Sequence, residues 1–381
     1  MADKVDVLIF TASYGGGHMQ AARALAEGFQ LTDPAVRCAL VNFMQEVSPA
    51  ANRLVEVSYR QAVLRAPRLW HQFYRLTERS TPESSLERRL TRLLFPKAEA
   101  LLRAYEPQVV VSTYPVSSRT IGQLKLHGRC SVPLVTVLTD QALHSQWLHP
   151  ATDLYIVGSE YLWQHMLRRG IPAARISLQG IPISPRFAQP RSVKDARQAL
   201  GLTTDRPVVL MMCGAQGLLP EAEELFLRLT TYTELLQPVI VTGHDTRLRM
   251  RLERSTANKQ GVRILGYVTD IEEWMSASDL MVGKAGGLTT AEALAKKLPL
   301  VIVHPIPGQE EENTRFLVRS GAAVRAEGVD TAVNAVLAIL ADRERLSAMR
   351  QAAARVARPH AALDAAEGIL SLIKLKNSVS M

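Results

Sequence analysis

Cysteine is scarce in this sequence, and long apolar runs are missing. The three cysteines, Cys38, Cys130 and Cys213, are odd in number and widely spaced, which favours buried free thiols over disulfide bonds or a zinc site. No apolar stretch approaches the length of a membrane span. Lys4 precedes only a short apolar run, so a secretory signal is not expected. Together these absences predict a cytoplasmic protein that contacts a membrane without crossing it.

Positive charge, by contrast, is plentiful. The 381 residues include 45 Lys and Arg against 36 Asp and Glu, which gives a formal net charge of +9 and a pI near 9.6. Such an excess suits anionic partners, among them nucleotide phosphates, nucleic acids and acidic membrane surfaces. The apolar fraction of 47% is enough for packed cores, and the length favours two domains.

Apolar strand-like segments alternate with helical segments through most of the chain. This alternation predicts an α/β protein with parallel sheets that are covered by helices on both faces. A proline-containing stretch at residues 184–192 is typical of a hinge. We therefore predict a first domain over residues 1–185 and a second over 186–355. The remaining segment, 356–381, is predicted to return to the first domain as a helix and to end in a tail.

The strongest functional pattern lies in residues 284–313, KAGGLTTAEALAKKLPLVIVHPIPGQEEEN. A strand is predicted at 279–282, followed by a turn on Gly286 and Gly287 and a helix over 289–297. The start of such a helix presents unpaired N–H groups and the positive end of the helix dipole, and the glycines let a phosphate approach the backbone. The pattern therefore predicts an anion site at this turn.

Three polar side chains follow the turn. Glu292 lies about one turn along the predicted helix, within reach of a ribose hydroxyl. A second strand is predicted at 300–303, and after it Gln309 and Glu310 begin another helix, where they are placed to hold a sugar. A turn for a diphosphate, a carboxylate for a ribose and a polar pair for a sugar together indicate a nucleotide-sugar site.

Another glycine-rich turn lies near the start of the chain. The strand predicted at 5–11 leads into SYGGGH, and a helix is predicted over 19–30. The spacing does not fit the G-x-G-x-x-G dinucleotide pattern, so Gly16 and Gly17 are expected to leave room for a ligand instead. His18 then stands at the helix start, where the dipole lowers its pKa and keeps the imidazole neutral, as a general base must be. The alternative is a histidine with only a capping role.

These motifs resemble those of the diacylglycerol glycosyltransferases, which include the monogalactosyldiacylglycerol synthases and the bacterial processive diacylglycerol glucosyltransferases. The G-G-G-H turn and a G-I-P element at 180–182 are shared. The family pattern K-[AP]-G-x-x-T-x-[AS]-E-A-L, followed by P-G-Q-E-x-x-N, is carried here by Lys284, Gly286, Thr289, Glu292, Ala293, Leu294, Pro307, Gly308, Gln309, Glu310 and Asn313. A T-D…W-x-H-P element is carried by Thr139, Asp140, Trp147, His149 and Pro150.

The resemblance implies a GT-B fold, in which two Rossmann-like parallel-sheet domains face an interdomain cleft. It also implies an inverting transfer of a hexose from UDP-glucose or UDP-galactose to the hydroxyl of diacylglycerol, with no cofactor and no metal. The implied catalytic residues are His18 as the base and Asp140, which orients His18 or the acceptor hydroxyl. The implied donor-binding residues are Gly214, Val268, Lys284, Gly286, Gly287, Thr289, Glu292, Gln309 and Glu310. The residues implied on the acceptor side are Gly16, Gly17, Trp147 and His149.

Two of the implied donor positions lie outside the main motif. Gly214 belongs to a loop that is richer in glycine in the relatives, whereas Cys213 and Ala215 replace glycines here. This difference leaves the contact of the loop with phosphate or acceptor open. Val268, in the segment GYVTDI, would offer its backbone groups to uracil, as in the relatives.

Residues 51–103 are rich in arginine interleaved with aromatic and aliphatic residues. This composition suits contact with an anionic membrane interface, although an ordinary solvated helix face is the alternative for most of these residues. We therefore expect a peripheral protein at the inner face of the membrane. Its expected partners are a UDP-sugar and diacylglycerol or a related lipid, without nucleic acid.

Three other functions stay open. They are a UDP-sugar 2-epimerase on the same fold, a transferase to another lipid acceptor, and a non-enzymatic basic protein that binds membranes or nucleic acid. The sequence leaves undetermined which sugar is transferred, how many sugars are added, which lipid accepts them and what the oligomeric state is.

Overall fold

The computed structural model describes residues 4–13, 16–49, 52–53, 85–217 and 219–379. The chain divides into two compact units, Met1–Pro185 together with His360–Met381, and Arg186–Pro359. Residues 54–84, which contain much of the arginine-rich segment predicted to contact a membrane, lie outside the described residues. In the part of the chain that is described, no helix is both long enough and apolar enough to cross a bilayer.

Each unit contains one six-stranded parallel sheet. The strands of the first unit are β1 Val7–Thr11, β2 Cys38–Asn42, β3 Val109–Ser112, β4 Leu134–Val137, β5 Leu154–Val157 and β6 Ile176–Leu178, in the order β2-β1-β3-β4-β5-β6. Those of the second unit are β7 Val208–Met212, β8 Gln237–Val241, β9 Arg263–Leu265, β10 Leu280–Gly283, β11 Leu300–Val303 and β12 Ala323–Ala326, in the order β12-β11-β10-β7-β8-β9.

Helices connect nearly all of these strands. They are α1 Gly17–Thr32, α2 Phe43–Val47, α3 Ser85–Tyr105, α4 Pro115–Leu126, α5 Glu160–Arg168, α6 Val193–Ala199, α7 Ala222–Leu229, α8 Thr246–Ser255, α9 Ile271–Ala277, α10 Gly287–Ala295, α11 Gln309–Ser320, α12 Val329–Ala341, α13 Arg343–Val356 and α14 Ala361–Val379. The strand–helix alternation and the two parallel sheets confirm the predicted α/β class.

The strands are apolar on both faces because helices cover both sides of each sheet. All of β1, VLIFT, is buried. Its register places Val7 beside Cys38 of β2 and Val109 of β3. Alternate residues of β1 contribute to different cores: Val7 and Ile9 pack in the cluster that contains α1 and α14, whereas Leu8 and Phe10 pack in the cluster that contains α3 and α4.

Helix α14 completes the first unit, since it packs along α1. The close approach depends on Gly28, where an added Cβ would lie 2.4 Å from the backbone oxygen of Ala362. Ala365 and Ile369 of α14 are fully buried in the core they share with Leu25. The last helix of the chain therefore belongs to the hydrophobic core of the first unit.

Element boundaries differ from the predicted ones by one or two residues. Helix α1 begins at Gly17 rather than at residue 19, and α10 begins at Gly287 rather than at residue 289. In both cases the glycine that was predicted to form the turn is itself the first helical residue. Both helices begin within six residues of the carboxyl ends of the strands that precede them, β1 and β10.

Candidate functional site

In the first unit, the predicted base lies at the point where the chain order of the sheet reverses. Strand β1 has β2 on one side and β3 on the other, and ligands of open parallel sheets bind at the carboxyl ends of such strands. Gly16 caps α1 in a left-handed conformation with φ 83°. This turn places His18 in the first turn of α1, where the hydroxyl of Thr113, which follows β3, donates to its backbone oxygen at 3.1 Å.

The His18 ring is held by a hydroxyl and two aromatic rings. Its Nδ1 lies 3.1 Å from Oγ1 of Thr139. The ring centroids of Tyr114 and Trp147 lie 5.5 and 5.9 Å from that of His18. Trp147 itself is buried in the core cluster of this edge. The structure therefore brings together the carboxyl-end segments of β1, β3 and β4, and it places the predicted residue Trp147 beside His18.

Desolvation sets the protonation state of His18. Burial of the ring lowers the pKa of His18 to about 4, while a hydrogen bond with the Thr113 backbone acts in the opposite direction. The sequence argument expected a lowered pKa from the helix dipole, but the main cause is burial. At neutral pH the imidazole is uncharged and has one lone pair available for a proton.

Asp140 is the next residue after Thr139 and is half-buried at the same edge of the sheet. The group within hydrogen-bonding distance of His18 Nδ1 is the hydroxyl of Thr139. Sequence reasoning predicted that Asp140 orients His18 or the acceptor hydroxyl, and this stays a prediction. The T-D motif in the sequence indicated a hydrogen-bonding partner for His18, because either side chain can pair with an imidazole.

His149 lies in the core of the first unit. Its Nδ1 accepts a hydrogen bond from Ala151 N–H at 3.2 Å, and Nε2 lies 3.2 Å from the amide of Gln123. Burial, together with the charge of Arg119, lowers the pKa of His149 to about 4. The ring packs directly on Gly122, where an added Cβ would lie 2.2 Å from Nδ1. These contacts hold the buried ring of His149 in place, and its predicted part on the acceptor side stays a prediction.

The second unit has an equivalent reversal at β7, which lies between β8 and β10. After β10 the chain passes through Lys284 and Ala285 to Gly286, the N-cap of α10, which offers no side-chain cap. A Cβ added to Gly286 would meet no atom within 4 Å. Asn313, which is fully buried, donates to Ala285 O at 2.8 Å and so ties α11 to this turn. The helix start is thus open to a ligand and rigidly supported.

Lys284 and Glu310 contact each other. The Lys284 Nζ lies 3.5 Å from Glu310 Oε1, and each side chain is less than one-sixth exposed, at 12% and 14%. The other carboxylate oxygen, Oε2, accepts from Ile306 N–H at 2.7 Å. Lys284 therefore compensates the charge of Glu310, and both lie beside the Gly286 turn. Gln309, the residue before Glu310, is half-buried and occupies the first position of α11.

Glu292 is half-buried on α10, one turn beyond Thr289. Burial, and to a lesser degree the negative charge of Glu272, raises the pKa of Glu292 to about 8. The carboxyl group is therefore largely protonated at neutral pH in the unliganded protein. A ligand that binds only to the ionised carboxylate of Glu292 would therefore cause release of this proton.

The loop after β7 contains Gly214 and Gly217 with φ of 77° and 67°. The Gly217 N–H donates to Gly214 O at 3.0 Å, which closes the turn. Cys213 is fully buried in the core of this unit, where its thiol fills space between helices and sheet. Ala215 contributes its backbone oxygen to His244 N–H at 3.0 Å. Burial in this core accounts for Cys213, whereas the contact of Ala215 is made by its backbone and does not depend on the methyl group.

Val268 is half-buried in the bend that follows β9. The residue before it, Tyr267, stacks on His244 with ring centroids 4.5 Å apart and planes 7° from parallel. These groups, at the carboxyl ends of β8 and β9, lie on the same edge of the sheet as the Gly286 turn. The structure accordingly places all the predicted donor-side residues on the carboxyl edge of the second sheet.

Sequence reasoning did not assign roles to Tyr114, Thr139 or Asn313. Thr139 and Asn313 lie in the recognised motifs, whereas Tyr114 follows β3 with no motif of its own. Within the described ranges, no group of three or more His, Cys, Asp or Glu side chains is arranged to hold a metal ion.

Known proteins match both halves of the chain. A family model for monogalactosyldiacylglycerol (MGDG) synthase matches residues 18–183, and one for the glycosyltransferase family 28 C-terminal domain matches residues 208–365. The processive diacylglycerol β-glucosyltransferase of Bacillus subtilis (strain 168) is 30% identical over 354 residues, covering 91% of this chain and 89% of that protein. Its counterpart from Bacillus cereus (strain AH187) is 29% identical, covering 98% and 94%.

Solved structures show the same fold at low identity. MurG from Acinetobacter baumannii superposes with a TM-score of 0.62 at 17% identity, covering 97% of this chain and 99% of that one. UDP-GlcNAc 2-epimerase from Neisseria meningitidis, solved with UDP-GlcNAc, gives 0.61 at 12% identity, with coverage of 97% and 99%. These likenesses confirm the GT-B architecture of two Rossmann-like units. The sequence relatives and the matching family models establish that this chain belongs to the diacylglycerol glycosyltransferase family.

Proposed function

We propose that this protein is an inverting glycosyltransferase that moves a hexose from UDP-glucose or UDP-galactose to the hydroxyl of diacylglycerol, forming a membrane glycolipid. The observation that carries the proposal is the environment of His18. A neutral imidazole, held by Thr139 at the reversal point of the first sheet, is the arrangement that a general base requires. Family membership supplies the reaction class.

The donor is assigned to the second unit. The diphosphate is proposed to bind at the start of α10, where N–H groups and the helix dipole favour negative charge and Gly286 leaves open space. Glu292 would bind the ribose, Gln309 and Glu310 the sugar, and the backbone of Val268 the uracil. Structures of fold relatives solved with UDP or UDP-GlcNAc support a UDP-linked donor.

The acceptor is assigned to the first unit. With Nδ1 of His18 paired to Thr139, Nε2 is available to take the proton of the diacylglycerol hydroxyl. The acceptor oxygen then attacks the anomeric carbon from the face opposite UDP, and the glycosidic bond to UDP breaks. The proton stays on His18, and the charge that develops on the leaving diphosphate is stabilised by the start of α10. The proposed chemistry needs no metal or other cofactor.

Membrane contact is proposed for the surface formed by α3 and α4. Leu93 and Leu126 are 76% and 56% exposed. Arg92 joins the two helices through its 3.4 Å contact with His127. Exposed leucines beside cationic residues suit an anionic bilayer surface. Replacing both leucines by serine should reduce sedimentation with anionic vesicles while leaving UDP binding in solution unchanged.

Product analysis tests the function directly. The protein is incubated with UDP-glucose or UDP-galactose and diacylglycerol vesicles, and the lipids are examined by mass spectrometry. We expect a hexosyl-diacylglycerol product, and a loss of at least about 100-fold in turnover for His18→Ala and His18→Gln with UDP affinity retained. An epimerised nucleotide sugar formed without lipid would instead identify an epimerase. Full turnover in His18→Ala would refute the assignment of the base.

A further inference from the structure

Strained backbone is concentrated at one place in the second unit. In the described part of the chain, the non-glycine residues with a left-handed φ are Glu106, Glu221, Lys297 and His304. Two of these, Glu221 with φ 55° and His304 with φ 45°, contact each other through side chains. The His304 Nε2 lies 2.8 Å from Glu221 Oε2. Because such conformations cost roughly 1–3 kcal/mol each, a bonded pair of them suggests a functional constraint.

The positions of the two residues in the fold give this pair its meaning. Glu221 ends the loop that follows β7 and serves as the N-cap of α7. His304 begins the loop that follows β11. In the sheet, β7 and β11 are not neighbours, because β10 lies between them. The pair therefore connects the two loops on either side of β10, whose own carboxyl end leads to Gly286.

Strand spacing shows how far this connection reaches. Neighbouring strands lie about 4.8 Å apart, so β7 and β11 are separated by roughly 10 Å. Side chains from both loops must lean toward each other across the end of β10 to make a 2.8 Å contact. The left-handed backbone at both residues redirects the side chains at these positions. Because His304 directly follows β11, which pairs with β10, the bridge lies on the edge of the sheet that also holds the turn to which the donor diphosphate is assigned.

Each end of the bridge is also connected to residues that are proposed to bind the nucleotide-sugar. The loop that ends at Glu221 contains the Gly214–Gly217 turn. The loop that begins at His304 leads to Ile306, whose N–H donates to Glu310, and then to Gln309. Fixing the bridge therefore fixes the glycine turn on one side and the sugar-binding pair on the other.

We propose that His304 and Glu221 are positioning residues for the nucleotide-sugar: their bridge holds the loops after β7 and β11 around the diphosphate. This inference rests on the proposed function, because it takes the Gly286 turn as the donor site. Since the bridge acts on loops that contact the ground state and the transition state alike, its loss should weaken donor and UDP binding and leave kcat unchanged.

The test is a mutant cycle on UDP affinity. His304→Ala, Glu221→Ala and the double variant are titrated with UDP by calorimetry, and initial rates are measured with UDP-glucose. We expect each single change to weaken UDP binding by roughly tenfold, the lower range for a charge-assisted hydrogen bond in a partly exposed pair. The double variant should be no weaker than the weaker single one, KM for the donor should rise in parallel, and kcat should stay within about twofold.

A matched control is available in the first unit. Glu106 also has a left-handed backbone, with φ 42°, and pairs with Lys4 at 2.6 Å. Glu106→Ala removes the same side chain from the same kind of backbone and should leave UDP affinity unchanged. Glu221→Gln, which keeps a hydrogen-bonding group opposite His304, should recover part of the affinity lost in Glu221→Ala.

Three results would overturn the inference. They are wild-type UDP affinity in both single variants, additive losses in the double variant, and tighter binding after removal of the bridge, which would make it an obstruction. These outcomes are independent of turnover. If the native protein binds UDP through an intact bridge but transfers no sugar to lipid, the proposed function fails while the positioning role stands.

Discussion

The raised pKa of Glu292 makes a quantitative prediction about donor binding. In the free protein, burial and the charge of Glu272 raise this pKa to about 8 from an ordinary value of 4.5. A carboxylate binds the two ribose hydroxyls as an acceptor, so UDP-glucose should favour the ionised form. At pH 7 about nine in ten free molecules carry the proton, and binding must release it.

The magnitude follows from proton linkage. Apparent affinity for UDP-glucose should be roughly tenfold weaker at pH 7 than at pH 9, because the competent ionised fraction rises about tenfold over that range. The free energy of unfolding changes with pH in the opposite direction to the donor affinity. The folded protein binds a proton that the unfolded chain has released between pH 4.5 and about 8, so the free energy of unfolding falls as the pH rises through that interval. The upper limit of this loss is about 5 kcal/mol.

Calorimetry in buffers of different ionisation enthalpy measures the released proton directly. UDP-glucose is the suitable ligand, since its diphosphate does not titrate between pH 6 and 9. We expect release of about 0.9 proton per bound donor at pH 7, and almost none with Glu292→Gln. Glu272→Gln is the matched control, because removing the neighbouring charge should lower the pKa of Glu292 and reduce the release. Equal proton release from the native protein and Glu292→Gln would refute the reasoning.

Three further predictions concern single positions. Thr139→Val removes the hydroxyl beside His18 Nδ1. Nitrogen NMR should then show a changed tautomer balance of His18, and kcat should fall about tenfold at unchanged donor KM. Thr139→Ser, which keeps a hydroxyl, should retain the native tautomer balance and kcat. Gly122→Ala forces a Cβ to within 2.2 Å of the buried His149 ring and should lower the free energy of unfolding by about 2–3 kcal/mol in denaturant titrations; Gly286→Ala, with open space around its Cβ, should keep native stability but weaken UDP binding. Wild-type stability of Gly122→Ala, or an unaltered His18 spectrum in Thr139→Val, would contradict the respective contact.

Part of the site could be predicted because local sequence carries local geometry. A run of apolar residues, two glycines and a helical segment are contiguous around Gly286, so a strand–turn–helix with an exposed helix start follows from short-range chemistry alone. The same holds for the turn before His18. Family resemblance added the reaction class, which the sequence relatives confirm.

Other features depend on residues that are distant in sequence. Thr139 follows β4 and His18 follows β1, and the sheet brings them together because β3 lies between these strands and pairs with both. The raised pKa of Glu292 comes mainly from burial in the folded unit, with a smaller contribution from the charge of Glu272 on a different helix. The bridge between Glu221 and His304 joins loops that are 83 residues apart and needs an unusual backbone at both ends.

The amino-acid order by itself determined that the chain forms two strand–helix alternations and that glycine turns precede His18 and follow Lys284. Hydrophobic periodicity and turn chemistry are short-range properties, so they can be recognised in the sequence without knowledge of the fold. Only the tertiary structure decided which side chains share an edge of a sheet, how deeply His18 and Glu292 are buried, and therefore which protons they hold. The reason is physical: desolvation and hydrogen bonding depend on distances in space, which strand order sets and residue number does not.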